Sequence, residues 1–209
     1  KQQHLITDKP IQLTDYSKLR LKDILPSTFE KTAVFPAFIL LMTVFAHSSI
    51  VSFLPIYALQ NEIENVEWFF ILAACGMVAV RLLLSIYSPK INMHRLVNWG
   101  FIAITLSVFT VGFIGNRLML IVLPIIYGLG LGAVQPTLIS KALANCGFTR
   151  RGAATATYYT AYDLGFGIGA ILWGIVAQNI GYSSVYYLAA SFNVVAAFLY
   201  IAKYGKDKK

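Results

Sequence analysis

The stretch TAVFPAFILLMTVFAHSSIVSFLPIYAL, residues 32–59, decides the fold, because it runs from end to end without an Asp, Glu, Lys or Arg. A bilayer core of about 30 Å needs about 20 apolar residues in a helix to cross it. With no water there to satisfy the backbone, only helices and closed barrels can span. The run shows no apolar–polar alternation of the kind a barrel strand needs, so it predicts a transmembrane helix. Five further apolar blocks follow at 66–87, 96–114, 118–143, 152–178 and 182–202. The connections between them are short, which forces neighbouring helices to run antiparallel. The reading is an all-α membrane protein of six spans.

Composition points the same way. Hydrophobic residues make up 57% of the 209-residue chain and charged residues 12%, where a soluble domain carries about 25% charged. The chain divides into a polar stretch at 1–31 with a possible short surface helix around 19–25, a six-helix bundle at 32–203, and a basic tail at 204–209. The polar opening does not have the form of a signal peptide, and a start at Lys1 rather than Met predicts a piece of a longer product. Cys75 in a span and Cys146 in a loop offer neither a disulfide framework nor metal-ligand spacing. No metal or cofactor is expected.

The net charge of +8 would suit nucleic acid, but its distribution argues for topology instead. Lys1, Lys9, Lys18, Arg20, Lys22 and Lys31 precede the first span. Lys90 and Arg95 lie in the second loop, Lys141, Arg150 and Arg151 flank the fourth, and Lys203, Lys206, Lys208 and Lys209 close the chain. All fall on one side of a six-span protein. The other side offers Arg117 beside Glu62, Glu64 and Glu67. The positive-inside rule then makes both termini cytoplasmic, and no nucleic-acid partner is expected.

Residues inside the spans carry the functional signal. Asp163 lies 12 residues past Arg151, roughly 18 Å along a helix, and an unpaired charge at that depth costs at least about 2.5–3.5 kcal/mol. It must meet a cavity, a partner or a proton. With Tyr159, Thr160 and Gly167 at offsets of three and four it forms a semi-polar stripe on one face of span five. His47, near the middle of span one and followed by Ser48, Ser49 and Ser52, is either a hydrogen-bonded core histidine or a proton relay. Arg81 in span two could snorkel to the interface, pair with an acid such as Asp163, or bind an anionic substrate. Gln135, Tyr158, Tyr159 and Ser52 are candidates for a polar substrate path.

Two pairs of glycines, Gly128/Gly132 and Gly165/Gly169, have the G-x-x-x-G spacing that lets helix backbones approach closely. Pro36, Pro55, Pro124 and Pro136 lie in or near spans one and four. Those spans are three apart, as matching members of a three-plus-three inverted repeat would be, and paired interruptions of this kind mark substrate sites in transporters. Nothing suggests an enzyme, since His47, Ser48 and Ser49 on one helix cannot supply an aligned nucleophile, base and orienter. A channel lacks any filter sequence. A six-helix membrane scaffold without transport is the remaining alternative.

The runs YGLGLGAVQPTLISKAL at 127–143 and RRGAATATYYTAYDLGFGIGAILWGIVAQNIGYSSVYYLAA at 150–190 resemble the C-terminal half of bacterial major facilitator superfamily transporters, most closely the drug:proton antiporter-like exporters. In that family the tenth helix carries a glycine-rich stretch and a Pro-Thr pair, here Pro136 and Thr137. An Arg-Gly loop then leads to an eleventh helix with an acid followed by alternating glycines, here Asp163, Gly165, Gly167 and Gly169. The resemblance implies that the six spans are helices 7–12 of a major facilitator fold, built as a 3+3 inverted repeat, with residues 1–31 as the loop joining the halves. It also implies an N-terminal six-helix half as partner, a bacterial cytoplasmic membrane, and proton-coupled export of small organic molecules. Metallophore and sugar or metabolite export are the alternatives. Spans one, two, four and five would line the cavity, with three and six outside. One departure stands out. The loop YSPKINMHR after Arg81 has Ser88 where relatives place the acid of an Asp-Arg-x-Gly gate, so no gate is assigned there. Metallophore-exporting members share an arginine without that acid.

Overall fold

The computed structural model describes residues 29–87, 91–114, 118–144 and 146–205. Six long helices account for nearly all of them: α1 Val34–Gln60, α2 Glu67–Tyr87, α3 Met93–Val111, α4 Met119–Ala144, α5 Arg151–Ile180 and α6 Tyr182–Tyr204. Short 3-10 turns, Lys31–Ala33 and Phe148–Arg150, lead into α1 and α5. Each helix is long and apolar enough to cross a membrane. Large apolar side chains nevertheless stay uncovered, among them Trp99 at 68%, Ile171 at 69% and Phe198 at 70% exposure. A soluble monomer rarely leaves such continuous apolar surface open to water. Lipid is the solvent that these faces fit.

The helix limits depart from the apolar runs where polar residues do the capping. α3 begins at Met93, three residues ahead of the run, because the Asn92 side chain accepts the Arg95 N–H and caps its first turn. α5 continues to Ile180 and stops at Gly181, whose φ of 98° lies in the left-handed region that favours glycine. Pro36 falls in the first turn of α1, where no intrahelical hydrogen bond is lost, so it interrupts nothing. The prolines set within helices are Pro55 in α1 and Pro124 and Pro136 in α4. The expected surface helix at 19–25 lies outside the described residues. So do Lys1, Lys9, Lys18, Arg20, Lys22, Ser88, Lys90, Arg117, Lys206, Lys208 and Lys209.

α1 and α4 form the centre. α4 packs chiefly on α2 and α3, α1 packs chiefly on α5 and α6, α3 lies against α6, and α1 also meets α4. α1 is the most covered helix, while α2 and α5 are the least. Close approach is made possible by glycine. A Cβ on Gly128 would run into the Ala73 backbone of α2, and one on Gly132 into Met77 and Val80. On the other flank Gly165 meets Leu41 and Val44 of α1, and Gly169 meets Phe45 and Ser48. Polar side chains then stitch the helices together. Trp173 Nε1 donates to the Phe45 carbonyl at 2.7 Å. Asn193 Nδ2 donates to the Phe101 carbonyl at 3.0 Å and to Thr105 Oγ1 at 2.8 Å.

Charge divides between the two ends. One end, where α1, α3 and α5 begin and α2, α4 and α6 finish, carries the described Lys31, Arg95, Lys141, Arg150, Arg151 and Lys203. The connection between α1 and α2, at the other end, carries Glu62 and Glu64, with Glu67 opening α2.

Candidate functional site

At the basic end, α2, α4 and α5 enclose a cavity of about 590 Å³. α2 supplies Arg81 and Ser85, α4 supplies Gln135, Thr137 and Ser140, and α5 supplies Tyr158, Tyr159 and Tyr162. Pro136 lies in the same wall, and it cannot donate to the carbonyl of Gly132 one turn earlier. A backbone break of this kind is tolerated at membrane depth where it lines a cavity.

Arg81 is exposed on α2. Its Nη2 turns to α4 and donates to Gln135 Oε1 at 3.4 Å. Across the cavity the Tyr158 hydroxyl donates to the Gln135 backbone carbonyl at 2.8 Å. Tyr158 is thereby fixed and buried, at 3% exposure. Tyr159 stands edge-on to it, ring centroids 5.4 Å apart and planes at 89°, and remains 52% exposed. Three of the residues expected to line a substrate path, Gln135, Tyr158 and Tyr159, thus meet in one wall with Arg81.

His47 occupies a second polar position deeper in the bundle. Its Nδ1 lies 2.6 Å from the Tyr127 hydroxyl of α4, and the rings of Tyr162 and Phe166 from α5 flank it at 6.4 and 6.2 Å. The contact joins α1, α4 and α5 at one point. Ser48 and Ser49 take no part, because their hydroxyls fold back onto the Phe45 and Ala46 carbonyls of their own helix. Ser52 is half-buried and does not contribute to the cavity wall.

Asp163 lies on the uncovered face of α5, together with Tyr159, Thr160 and Gly167. A Cβ placed on Gly167 would meet nothing within 4 Å. The stripe expected from the spacing is therefore present, and no helix of this bundle covers it. The Arg81–Asp163 ion pair that the sequence allowed does not form. The ion pair found among the described residues is Arg150 Nε to Glu30 Oε2 at 2.9 Å. That pair ties the segment entering α1 to the start of α5, reinforced by the Glu30 N–H donating to Thr157 Oγ1 at 3.0 Å. Hydrogen bonding from Arg150 holds the Glu30 carboxyl below the usual carboxylate range, and the Thr32 N–H and hydroxyl add to it.

Sequence reasoning missed Tyr127, Tyr162 and Glu30. A tyrosine in an apolar run reads as filler, and Glu30 and Arg150 are 120 residues apart, so only the folded contact reveals their partnership.

No curated protein matches the chain. The family model described as Major Facilitator Superfamily matches residues 6–166, from the polar opening through all of α1–α4 and into α5 past Asp163. With six spanning helices, a cavity beside an interrupted α4, and a match over well over half its length, the chain belongs to the major facilitator superfamily of membrane transporters.

Proposed function

We propose that the chain is the C-terminal half, helices 7–12, of a proton-coupled secondary transporter that exports small organic molecules. The observation that carries this reading is the uncovered face of α5. It bears a carboxyl at Asp163, well inside a helix apolar enough to span. Leaving that carboxyl to lipid would cost at least about 2.5–3.5 kcal/mol. A second six-helix half laid against α2 and α5 meets this need and encloses the cavity at Arg81, Gln135, Tyr158 and Tyr159.

The helix pairings support the 3+3 repeat. Exchanging α1, α2 and α3 for α4, α5 and α6 turns the α2–α4 contact into α5–α1 and the α3–α4 contact into α6–α1. The α3–α6 and α1–α4 contacts map onto themselves. Such a repeat suits alternating access by rocking about a midplane site. The basic end supports a cytoplasmic placement of both termini in a bacterial cytoplasmic membrane. In this mechanism Asp163 couples proton movement to the rocking, His47 is a second proton site, and Arg81 gates or binds.

The test is Asp163→Asn in the complete transporter, reconstituted in vesicles with an imposed pH gradient. Substrate accumulation should fall toward passive equilibration while binding persists. Accumulation at the wild-type level removes Asp163 from the coupling. A six-helix scaffold without transport would give no flux in either form.

A further inference from the structure

The cavity at the basic end also bears on which molecules are moved, and this inference rests on the transporter reading above. Its described wall holds a guanidinium and several hydroxyls but no carboxylate. Arg81 lies six residues before the end of α2, about 9 Å inward from the helix end, where a charge without a counter-charge is costly. Its hydrogen-bond partner is the neutral Gln135 Oε1, at the long limit of a hydrogen bond. No carboxylate among the described residues comes within ion-pair reach of it. A guanidinium has five N–H donors in a planar fork that suits carboxylate or phosphate oxygens, so most of that capacity is unspent.

The aromatic part of the wall completes the site. Tyr158 is locked to the Gln135 carbonyl and buried, and it holds Tyr159 edge-on so that the Tyr159 ring stays accessible. A ring held this way offers a flat apolar surface beside the cation. At the opposite end a cavity of about 800 Å³ is lined instead by Glu62 and Glu64 beside Trp68. A negatively charged solute is therefore favoured at one end of the bundle and disfavoured at the other.

We propose that the transporter selects small organic anions, molecules with a carboxylate or phosphate on a planar apolar body. Arg81 binds the anionic group, Gln135 orients the guanidinium, and Tyr159 stacks against the body.

The test uses two dyes with the same tricyclic body and opposite charge, anionic fluorescein and a cationic rhodamine, in liposomes containing the complete transporter. Wild type should move fluorescein at lower KM than the rhodamine. Arg81→Gln should raise the fluorescein KM about tenfold or more, the size of one lost charge-assisted hydrogen bond, without raising the rhodamine KM. Arg81→Lys, which keeps the charge but loses the fork, should retain the preference for the anion in weakened form. A size-exclusion profile and thermal unfolding of purified Arg81→Gln that match wild type show that the variant is folded. Movement of the rhodamine alone, or a fluorescein KM unchanged in Arg81→Gln, overturns the anion assignment and leaves the transporter reading standing. Movement of neither dye by the reconstituted wild type counts against both.

Discussion

If glycine is what lets α2 and α4 touch, a single methyl group at Gly128 must force them apart. The atoms it would meet are main-chain atoms of Ala73, with the carbonyl carbon at 2.8 Å, Cα at 3.0 Å and the carbonyl oxygen nearer still. None can rotate away as a flexible side chain would. Ordinary contact begins near 3.4 Å, so the carbonyl carbon alone requires α2 to retreat by about 0.6 Å, and the oxygen requires more. A gap of 0.5–1 Å forfeits roughly a quarter to a half of each dispersion contact across it. In lipid, helix association rests mainly on such packing, since tails are as apolar as side chains. Overpacking in tight cores costs about 1–3 kcal/mol, and a clash with backbone on both sides belongs at the upper end. Gly128→Ala should thus destabilise by about 3 kcal/mol, even though alanine favours a helix by about 1 kcal/mol over glycine.

The same geometry grades two other positions. At Gly165 the nearest atom, the Leu41 carbonyl oxygen, is at 3.0 Å, and a shift of a few tenths of an ångström should about cancel the gain in helix propensity. At Gly174 the nearest atom is Phe53 Cζ at 3.7 Å, so alanine should be neutral or stabilising by up to about 1 kcal/mol. Unfolding of the complete transporter in mixed micelles, followed by tryptophan fluorescence, reads the order. Gly128→Ala as stable as wild type, or Gly174→Ala as damaging as Gly128→Ala, would refute the claim that main-chain contact sets the α2–α4 separation.

Two further outcomes follow from the polar contacts. Tyr127→Phe removes the hydroxyl 2.6 Å from His47 Nδ1 and leaves a ring nitrogen unpaired inside the bundle, which should cost about 1–3 kcal/mol; a double-mutant cycle with His47→Phe should show at least about 1 kcal/mol of coupling, and additive losses would mean that the contact contributes nothing. Glu30 has a carboxyl whose value in the folded protein lies below its ordinary 4.5, so its contribution is present above that ordinary value and disappears as pH falls through the lower folded one. Stability of wild type relative to Glu30→Gln should therefore be constant at neutral pH and converge in acid; convergence already between pH 7 and 6 would contradict the Arg150 assignment.

The number and course of the helices were legible because lipid imposes a length and a polarity that few other environments demand. Where the reading slipped, polar residues were inside helices. His94 and Arg95 belong to the first turn of α3 although neither is apolar, since Asn92 caps the turn. Asn179 extends α5 by donating to the Ile175 carbonyl of its own helix. The stripe Tyr159, Thr160, Asp163 and Gly167 was legible as a shared face from helical spacing, but spacing does not say which way a face points. The meeting of Arg81, Gln135 and Tyr158 depends on three helices crossing at one level, and His47 with Tyr127 on two. Such levels are set by packing partners. The expected Arg81–Asp163 pair is not among the ion pairs of the described residues: Arg81 donates to Gln135 of α4, and Asp163 lies exposed on α5.

The absence of a direct pair among the described residues has a consequence for how the two charges can act. Arg81 donates to Gln135 of α4, while Asp163 lies on the side of α5 that this bundle leaves open, and both side chains are exposed. A direct pair would have let one titration neutralise both and would have coupled proton and substrate in a single contact. Separate placements divide the roles. The cation lines the cavity, and the acid lies on the open face of α5. Loss of the Asp163 charge should then act on the movement of the bundle, and loss of the Arg81 charge on what the cavity holds. Asp163→Asn should lower pH-driven accumulation with little change in KM, and Arg81→Gln should raise KM while sparing the response to pH. If both substitutions change both quantities equally, the two charges work as one unit in some state of the transport cycle, and the division drawn from their separate contacts does not hold.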